Sequence, residues 1–387
     1  MIWVEAILLA VVTGFSAVCL WNVFAWARIP LGAHATFQSV SILIPARNES
    51  ANIGSCLEHT RYLGQGVLEV LVYDDHSNDD TAKLVREAGE FDTRIRLIAT
   101  ADLPSDWCGK PFACHQLAAA AKGDWLLFID ADARLQPGAV DALVSEACAR
   151  NASMVSAWPR LKMGSAWEWA LMPFLNFCVF SVFPAPLSLK RKEPSLGIAH
   201  GACILAHRET YHRIGGHAMV RSEVFEDTVL ARRWREHGEF GVCLDGQDVV
   251  HVRMYNSFAS IWSGFQKVVY PAFRRDSSFW IFTLLHAAVF LGPFIYIPID
   301  LFTDRLEWPI WTAALVTLAA RSALAVRFCQ GWITVVLHPV VECLFVALCF
   351  SSRHRYLHGE GVSWKGRMYR PREPRQSKPA ATSGAQL

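Results

Sequence analysis

Trp3 to Ala27 is almost uninterrupted apolar sequence, closed by Arg28 and Pro30. A bilayer-spanning helix needs about 20 such residues, so the fold must first dispose of a segment that water does not solvate. A cleaved leader would show a basic start, a shorter apolar run and a small-residue cleavage site. The segment has none of these, and residues 1–30 are expected to persist as a membrane anchor.

Three more apolar stretches come late: Phe279–Leu301, Trp308–Val326 and Trp332–Phe350. They predict a C-terminal transmembrane region over 277–351, of two or three helices. The basic flanks Arg28, Arg274 and Arg275 put the intervening domain on the cytoplasmic side of a multi-pass protein of the cell (inner) membrane. Three late crossings would carry the basic tail, 352–387, to the opposite side, whereas two keep it with the domain. Arg321 interrupts Trp308–Val326 and Arg327 follows it, so this stretch is the suspect one, and the sequence leaves both a spanning and an interfacial placement open for it. Trp167–Leu187 is also apolar, but a crossing there would split the domain between two compartments. It is expected as a buried or membrane-contacting helix.

Composition narrows the classes further. The chain is 52% hydrophobic with a net charge of only +2, so nothing overall favours nucleic acid as a partner. Its 11 cysteines form no CxxC and read as free thiols. Cys108, Cys114 and His115 would need a second ligand cluster to hold zinc, and no matching spacing supplies one.

Between 36 and 255 short apolar strands alternate with helices. Val40–Pro45, Leu68–Tyr73, Ile95–Ala99 and Trp125–Asp130 read as strands, and Phe112–Ala121 as a helix. Asp79 and Asp80 read as caps for a helix running through Ala88. This alternation predicts an α/β domain on a parallel sheet, and ligands of such sheets bind beyond the carboxyl ends of the strands. Asn48–Glu49, Asp74–Asp75 and Asp130–Asp132 each follow a strand, so all three polar clusters are predicted on one rim. Any one of them alone is as easily a helix cap or a solvated turn. The first strand is followed by neither GxGxxG nor GxxxxGK[ST]. Carboxylates repel a diphosphate unless a divalent cation stands between them, and Mg2+ or Mn2+ favours oxygen ligands that include phosphates.

These segments resemble a family 2 glycosyltransferase of the GT-A, Rossmann-like nucleotide-sugar fold. SILIPARNES (Ser41–Ser50) resembles the first donor-binding strand and turn. VYDDHSNDDT (Val72–Thr81) resembles the segment whose second Asp, here Asp75, meets the nucleobase. WCGKPFACHQLAAAAKGDWLLFIDADA (Trp107–Ala133) resembles the lysine-bearing helix leading into a DxD motif, and VFEDTVLARRW (Val224–Trp234) the later ED motif. A closer resemblance is to the membrane-anchored subgroup of hopene-associated and carotenoid (diaponeurosporenoate-type) glycosyltransferases. It rests on RETYHRIGGH (Arg208–His217), VRMY (Val252–Tyr255) and VSWKGRMY (Val362–Tyr369). His200, where a polar amide is expected, departs from that pattern.

The resemblance implies inverting transfer of one sugar from a nucleotide-diphospho-sugar, UDP-type favoured, to a lipid acceptor in the membrane. Asp227 is then the base, with Glu226 beside it orienting the loop or raising its pKa. Asp132 is the principal metal ligand, supported by Asp130, and the metal is Mg2+ or Mn2+. Glu49, Asp75, Lys110 and Asp130 contact the donor. The ordinary readings are an N-cap pair for Glu226 and Asp227, a solvated lysine for Lys110 and a packed strand residue for His251. Arg232, Arg233 and Arg235 read as a solvated or headgroup-facing surface.

Residues 256–276 mix aromatics with basic residues and read as an amphipathic collar on the membrane surface. Gln266 lacks the Arg-Trp of a processive QxxRW motif, which predicts one sugar per acceptor. Two other readings stay open: a polyprenyl-phosphate sugar synthase, which differs only in acceptor, and a catalytically inactive GT-A scaffold.

Overall fold

A computed structural model describes residues 2–32, 38–63, 66–273, 275–303, 307–358, 362–364 and 367–369. Arg274 and most of the basic tail, including most side chains of the 362–369 motif, lie outside the described residues.

The chain opens with helix α1 (Ile2–Ala25). Next come β1 (Val40–Ala46), α2 (Ile53–Thr60), β2 (Val67–Asp74), α3 (Thr81–Phe91), β3 (Ile95–Leu97), α4 (Gly109–Ala120) and β4 (Trp125–Ile129). The middle holds β5 (Ala133–Leu135), α5 (Ala139–Ala149), β6 (Met154–Trp158), β7 (Arg160–Leu161) and three short helices, α6 (Ala166–Leu171), α7 (Phe174–Phe180) and α8 (Ala185–Ser188). Then follow β8 (Cys203–His207), α9 (Arg208–Ile214), α10 (Glu226–Glu236), β9 (Gly241–Asp245) and β10 (Val250–Val252). The late helices are α11 (Phe258–Gln266), α12 (Asp276–Leu285), α13 (Gly292–Phe302), α14 (Trp308–Arg327), α15 (Ile333–Val336) and α16 (His338–Leu357). A hairpin of β11 (Val362–Trp364) and β12 (Arg367–Tyr369) ends the described chain.

Seven strands form the main sheet in the order β3-β2-β1-β4-β8-β6-β9. The first four run parallel, as the alternation predicts. The sheet is nevertheless mixed, because β8 lies antiparallel to both β4 and β6. The expectation of a wholly parallel sheet rested on the first half of the domain and missed this reversal. Alternating residues of β1 serve the two faces: Ile42 and Ile44 pack with Ile53 and Val140, while Leu43 packs with Phe112 and Leu117. Helix α3 begins at Thr81, and Asp79 rather than Asp80 receives the Thr81 N–H.

Register sets the rim. Ala46 pairs with Asp74, and Leu43 with Phe128. The residues just past β1, β2 and β4, including Glu49, Asp75 and Asp130, therefore leave the sheet on the same side.

The apolar helices form a second body. Val12, Cys19 and Trp26 of the N-terminal segment pack with Phe177 and Phe180 of α7 and with Ala313, Ala320 and Leu324 of α14. Most of Trp167–Leu187 is thus buried or half-buried, as three short helices, with Trp167 and Val182 exposed. Asp245, at the end of β9, accepts from Arg28 (3.1 Å) and Arg327 (2.7 Å), which ties the ends of α1 and α14 to the sheet.

Among the described residues three segments are long and apolar enough to cross a membrane: Trp3–Ala25, Asp276–Phe302 and Trp308–Arg327. Trp308–Val326, which the sequence leaves between spanning and interfacial, has the length and composition of a spanning helix. Arg321 does not break that helix, because its guanidinium is buried, donating to Thr334 O (3.0 Å) and Pro173 O (3.4 Å) over the rings of Phe174 and Phe177. Trp332–Phe350 is instead split between α15 and α16. Its buried His338 and Glu342 face inward, and Glu342 meets His286 at 2.6 Å. Helix α16 then ends beside the collar, where Arg353 pairs with Asp276 (3.2 Å) and Ser352 with Gln266 O (2.6 Å).

Candidate active site

Lys110 sits in the first turn of α4, beneath the end of β4. Its Nζ lies 2.7 Å from Asp130 Oδ1 and 2.9 Å from Glu226 Oε1. A solvated lysine is therefore ruled out. Burial works against its charge, but the two carboxylates outweigh that cost and hold the ammonium ionised well above the ordinary lysine range.

Asp227 adjoins this trio. Its Oδ2 accepts the Gly201 N–H (2.8 Å) and its Oδ1 the Thr228 N–H (2.6 Å). Glu226 and Asp227 thus occupy the first turn of α10 in the manner of capping acids, while both face a cavity. Burial and the neighbouring Glu226 charge push Asp227 up to about 7, against the opposing pull of Lys110. A carboxylic acid poised there exchanges a proton readily at neutral pH.

Asp130 and Asp132 follow β4 in the turn leading to β5. Tyr255, which lines the cavity, is pushed up to about 12 by burial and then by the charges of Asp132 and Asp130. Glu49 belongs to the same charged neighbourhood: the buried Cys56 thiol is raised to about 12 by burial, with Asp132, Glu49 and Asp130 adding to it. Glu49 also accepts from Asn52 Nδ2 (2.9 Å), and its N–H donates to Thr81 Oγ1 (2.8 Å), joining the turns after β1 and β2.

Asp75 is buried on the β2 side of that rim. Its N–H donates to Ala46 O (2.8 Å), and Arg47 donates to its carbonyl. Asp75 Oδ2 pairs with Arg367 of β12. Sequence reasoning missed Arg367, because 292 residues separate the partners and the four ordered motifs end before the membrane helices.

One cavity of about 560 Å³ brings Lys110, Asp130, Glu226 and Asp227 together. Asp132, Glu49 and Asp75 stand on the rim outside its lining. From the polar trio the cavity continues along Phe174, Phe225, Phe258, Trp262 and Phe345, so its far wall is built by α7, the collar and α16. His200 lines it too. The Ala202 N–H donates to His200 Nδ1 (3.2 Å), and burial pushes the ring down to about 4, so the imidazole is neutral with its proton on Nε2.

Several residues fall elsewhere. Arg235 is not solvated: it is buried and donates to Gly241 O (2.7 Å) and Ser188 O (2.8 Å). Arg233 pairs with Glu236 on the surface, and Arg232 lines the cavity. His251 pairs within the small β5-β10-β7 sheet. Gln266 bonds Ser351 (2.6 Å) and Arg355 (2.8 Å), joining α11 to α16.

Comparison with known proteins agrees with this geometry. Residues 41–225 match the model of the glycosyl transferase family 2. The chain is 25% identical to a 4,4'-diaponeurosporenoate glycosyltransferase of Staphylococcus haemolyticus, over 86% of this chain and 89% of the relative. It is 26% identical to a protein of the same name from Staphylococcus aureus, over 86% and 88%. A mannosyltransferase from Pyrobaculum calidifontis, solved with GDP-Man and Mn2+, superposes with a TM-score of 0.54 at 19% identity, covering 91% of this chain and 98% of that one. Residues 41–225 are therefore a family 2 glycosyltransferase segment, and the domain that holds them has the GT-A fold of its solved neighbour.

Proposed function

We propose that the protein transfers one sugar, with inversion, from a nucleotide-diphospho-sugar to a lipid acceptor at the cytoplasmic face of the cell membrane. The observation that carries this reading is the single cavity that holds Lys110, Asp130 and Asp227 at one end and an aromatic and aliphatic lining at the other. A soluble acceptor has no use for such a lining, whereas a lipid gains by leaving water along it. The names of the staphylococcal relatives favour a carotenoid acid as the acceptor class.

Asp227 is the base in this reading. The acceptor oxygen attacks the anomeric carbon opposite the departing diphosphate, and Asp227 takes its proton as the bond forms. The Gly201 N–H fixes the carboxylate, and Lys110 holds Glu226 and Asp130 around it. A hydroxyl acceptor needs this proton transfer; a carboxylate acceptor has no proton to lose, and only the protonated form of Asp227 can donate a hydrogen bond to its oxygens.

Asp132 and Asp130 suit a divalent cation. Mg2+ binds through one or two carboxylates together with substrate phosphates rather than in an all-protein cage, and two carboxylates are what the turn after β4 offers. The P. calidifontis protein binds Mn2+ with its nucleotide sugar. Such an ion would stabilise the leaving diphosphate.

The helix arrangement supports one-sided tethering. α1 and α14 end at Asp245 beside the sheet, and α16 returns to the collar. In this topology Asp276–Phe302 leaves the cytoplasmic face and Trp308–Arg327 comes back to it. Residues 330–357 re-enter from the cytoplasmic face and return to it, so the basic tail stays with the domain.

The test is incubation of the purified protein with UDP- and GDP-sugars, Mn2+ and a membrane lipid extract. Nucleoside diphosphate release should match formation of an anomerically inverted glycolipid; Asp132→Ala should abolish it, and Asp227→Asn should abolish it where the acceptor is a hydroxyl. No release from any donor, with Asp132→Ala binding nucleotide like the parent, would leave a non-catalytic scaffold. Mass spectrometry of the product distinguishes a glycosylated carotenoid acid from a polyprenyl-phosphate sugar.

A further inference from the structure

Asp75 is only 3% exposed, and its two carboxylate oxygens have different fates. Oδ2 is taken by the Arg367 guanidinium. Oδ1 is buried with no hydrogen-bond partner among the described residues, and His76 Nδ1 stands 3.5 Å away. Buried carboxylate oxygens in folded proteins nearly always find a donor. An oxygen left without one, on a rim where a ligand is expected, is an acceptor set aside for that ligand.

The backbone around Asp75 is fixed. Its N–H is spent on Ala46 O and its carbonyl on Arg47, while Thr100 Oγ1 holds the Asp74 carbonyl at 3.0 Å. The main freedom left to the residue is rotation of the carboxylate. A guanidinium gripping one oxygen removes that freedom, because its planar donor fork has a fixed direction. Arg367 reaches Asp75 from β12, beyond the membrane helices, so the terminal hairpin rests on the nucleotide end of the rim.

We propose that Arg367 is a positioning residue of the donor site: it holds Oδ2 of Asp75 and thereby presents Oδ1 to a ring N–H of the nucleotide base. The proposal rests on the reading of Asp75 as the base acceptor. The chemistry selects bases with a ring N–H at that edge, as in uracil or guanine. The C-terminal hairpin becomes part of the donor site although it lies outside the matched family segment, residues 41–225.

The experiment is calorimetric titration of the full chain in detergent with UDP and saturating Mn2+, for the parent, Arg367→Ala, Arg367→Lys, Asp75→Ala and the Arg367→Ala/Asp75→Ala pair. Loss of the charge-assisted contact should weaken UDP binding about tenfold in Arg367→Ala. Arg367→Lys should recover part of it. Because Arg367 acts through Asp75, its removal should cost nothing further once Asp75 is alanine. Unchanged or tighter UDP binding in Arg367→Ala overturns the proposal, the second by showing that the hairpin competes with nucleotide. Additive losses also overturn it, since Arg367 would then act on another part of the ligand. Parent-like binding by Asp75→Ala removes the base-acceptor reading itself, whereas weak binding by Asp75→Ala with parent-like Arg367→Ala removes only the role of Arg367.

Discussion

Lys110 Nζ lies 2.7 Å from Asp130 Oδ1, so the cation of α4 closes directly on the first acid of the DxD motif. The same ammonium reaches Glu226 at 2.9 Å and lowers the pKa of Asp227. Lys110→Met removes the charge while keeping much of the length. Its kcat/KM should fall about 10²-fold, the usual size for losing a preorganised charge beside a reacting centre. The acidic limb of the pH–rate profile should also move to higher pH, because Asp227 loses the cation that favours its ionised form. A fall in rate with an unmoved limb would separate Lys110 from Asp227.

Glu226 pushes in the opposite direction. Burial and the Glu226 charge raise Asp227 to about 7, and a base works only when deprotonated. With a hydroxyl acceptor, kcat/KM should rise with pH through an inflection near 7. Glu226→Gln removes a like charge and frees Lys110 to act on Asp227, so both changes move the inflection to lower pH. The profile should gain activity on its acid side relative to its own plateau. Because the groups interact, the inflection belongs to the cluster rather than to Asp227 alone.

Gly201 leaves no room for a side chain. A Cβ there would stand 2.9 Å from Lys110 Nζ and 3.3 Å from Asp227 Oδ2. Lysine is flexible enough to move, so Gly201→Ala should fold. The displaced ammonium and carboxylate should cost about 10–10²-fold in kcat. UDP affinity should change much less, because Asp75 lies elsewhere on the rim. A matched drop in UDP binding would mean that Gly201 serves the donor instead.

The rim was legible in the sequence because strand ends are local. An apolar run followed by acids fixes where Asp75 and Asp130 leave the sheet, and three such runs fix a common side. The later elements were not legible in the same way. The antiparallel β8 has the same apolar composition as a parallel strand, and direction is set by the path of the chain before it. Arg321 read as a membrane-helix breaker because sequence shows the charge but not the Thr334 and Pro173 carbonyls that receive it. Arg235 was misread for the same reason: its partners are backbone carbonyls, which carry no sequence signature. Arg367 meets Asp75 only once the membrane helices have brought the tail back, a relation that no local pattern encodes.

The Arg321 contacts make a stability prediction. Arg321→Met would take a donor away from two buried carbonyls and remove a cation from the faces of Phe174 and Phe177. The loss should be about 2–4 kcal/mol, seen as a lower thermal midpoint in detergent. Turnover per folded molecule should stay near the parent value, because Arg321 lies outside the cavity lining.

The apolar half of the cavity predicts how acceptors are sorted. Val179 of α7 lines it away from Lys110 and Asp227. Val179→Trp fills volume there without touching the acids. Overpacking costs about 1–3 kcal/mol where the ring meets its neighbours, so the variant should still fold. If the acceptor chain lies in this space, long-chain acceptors should show a raised KM, while a short acceptor with the same reacting group reacts at nearly the parent rate. UDP affinity should not move. A variant that slows long and short acceptors equally would show that the cavity's apolar half does not hold the lipid, and the acceptor would have to enter from the open rim beside Asp132.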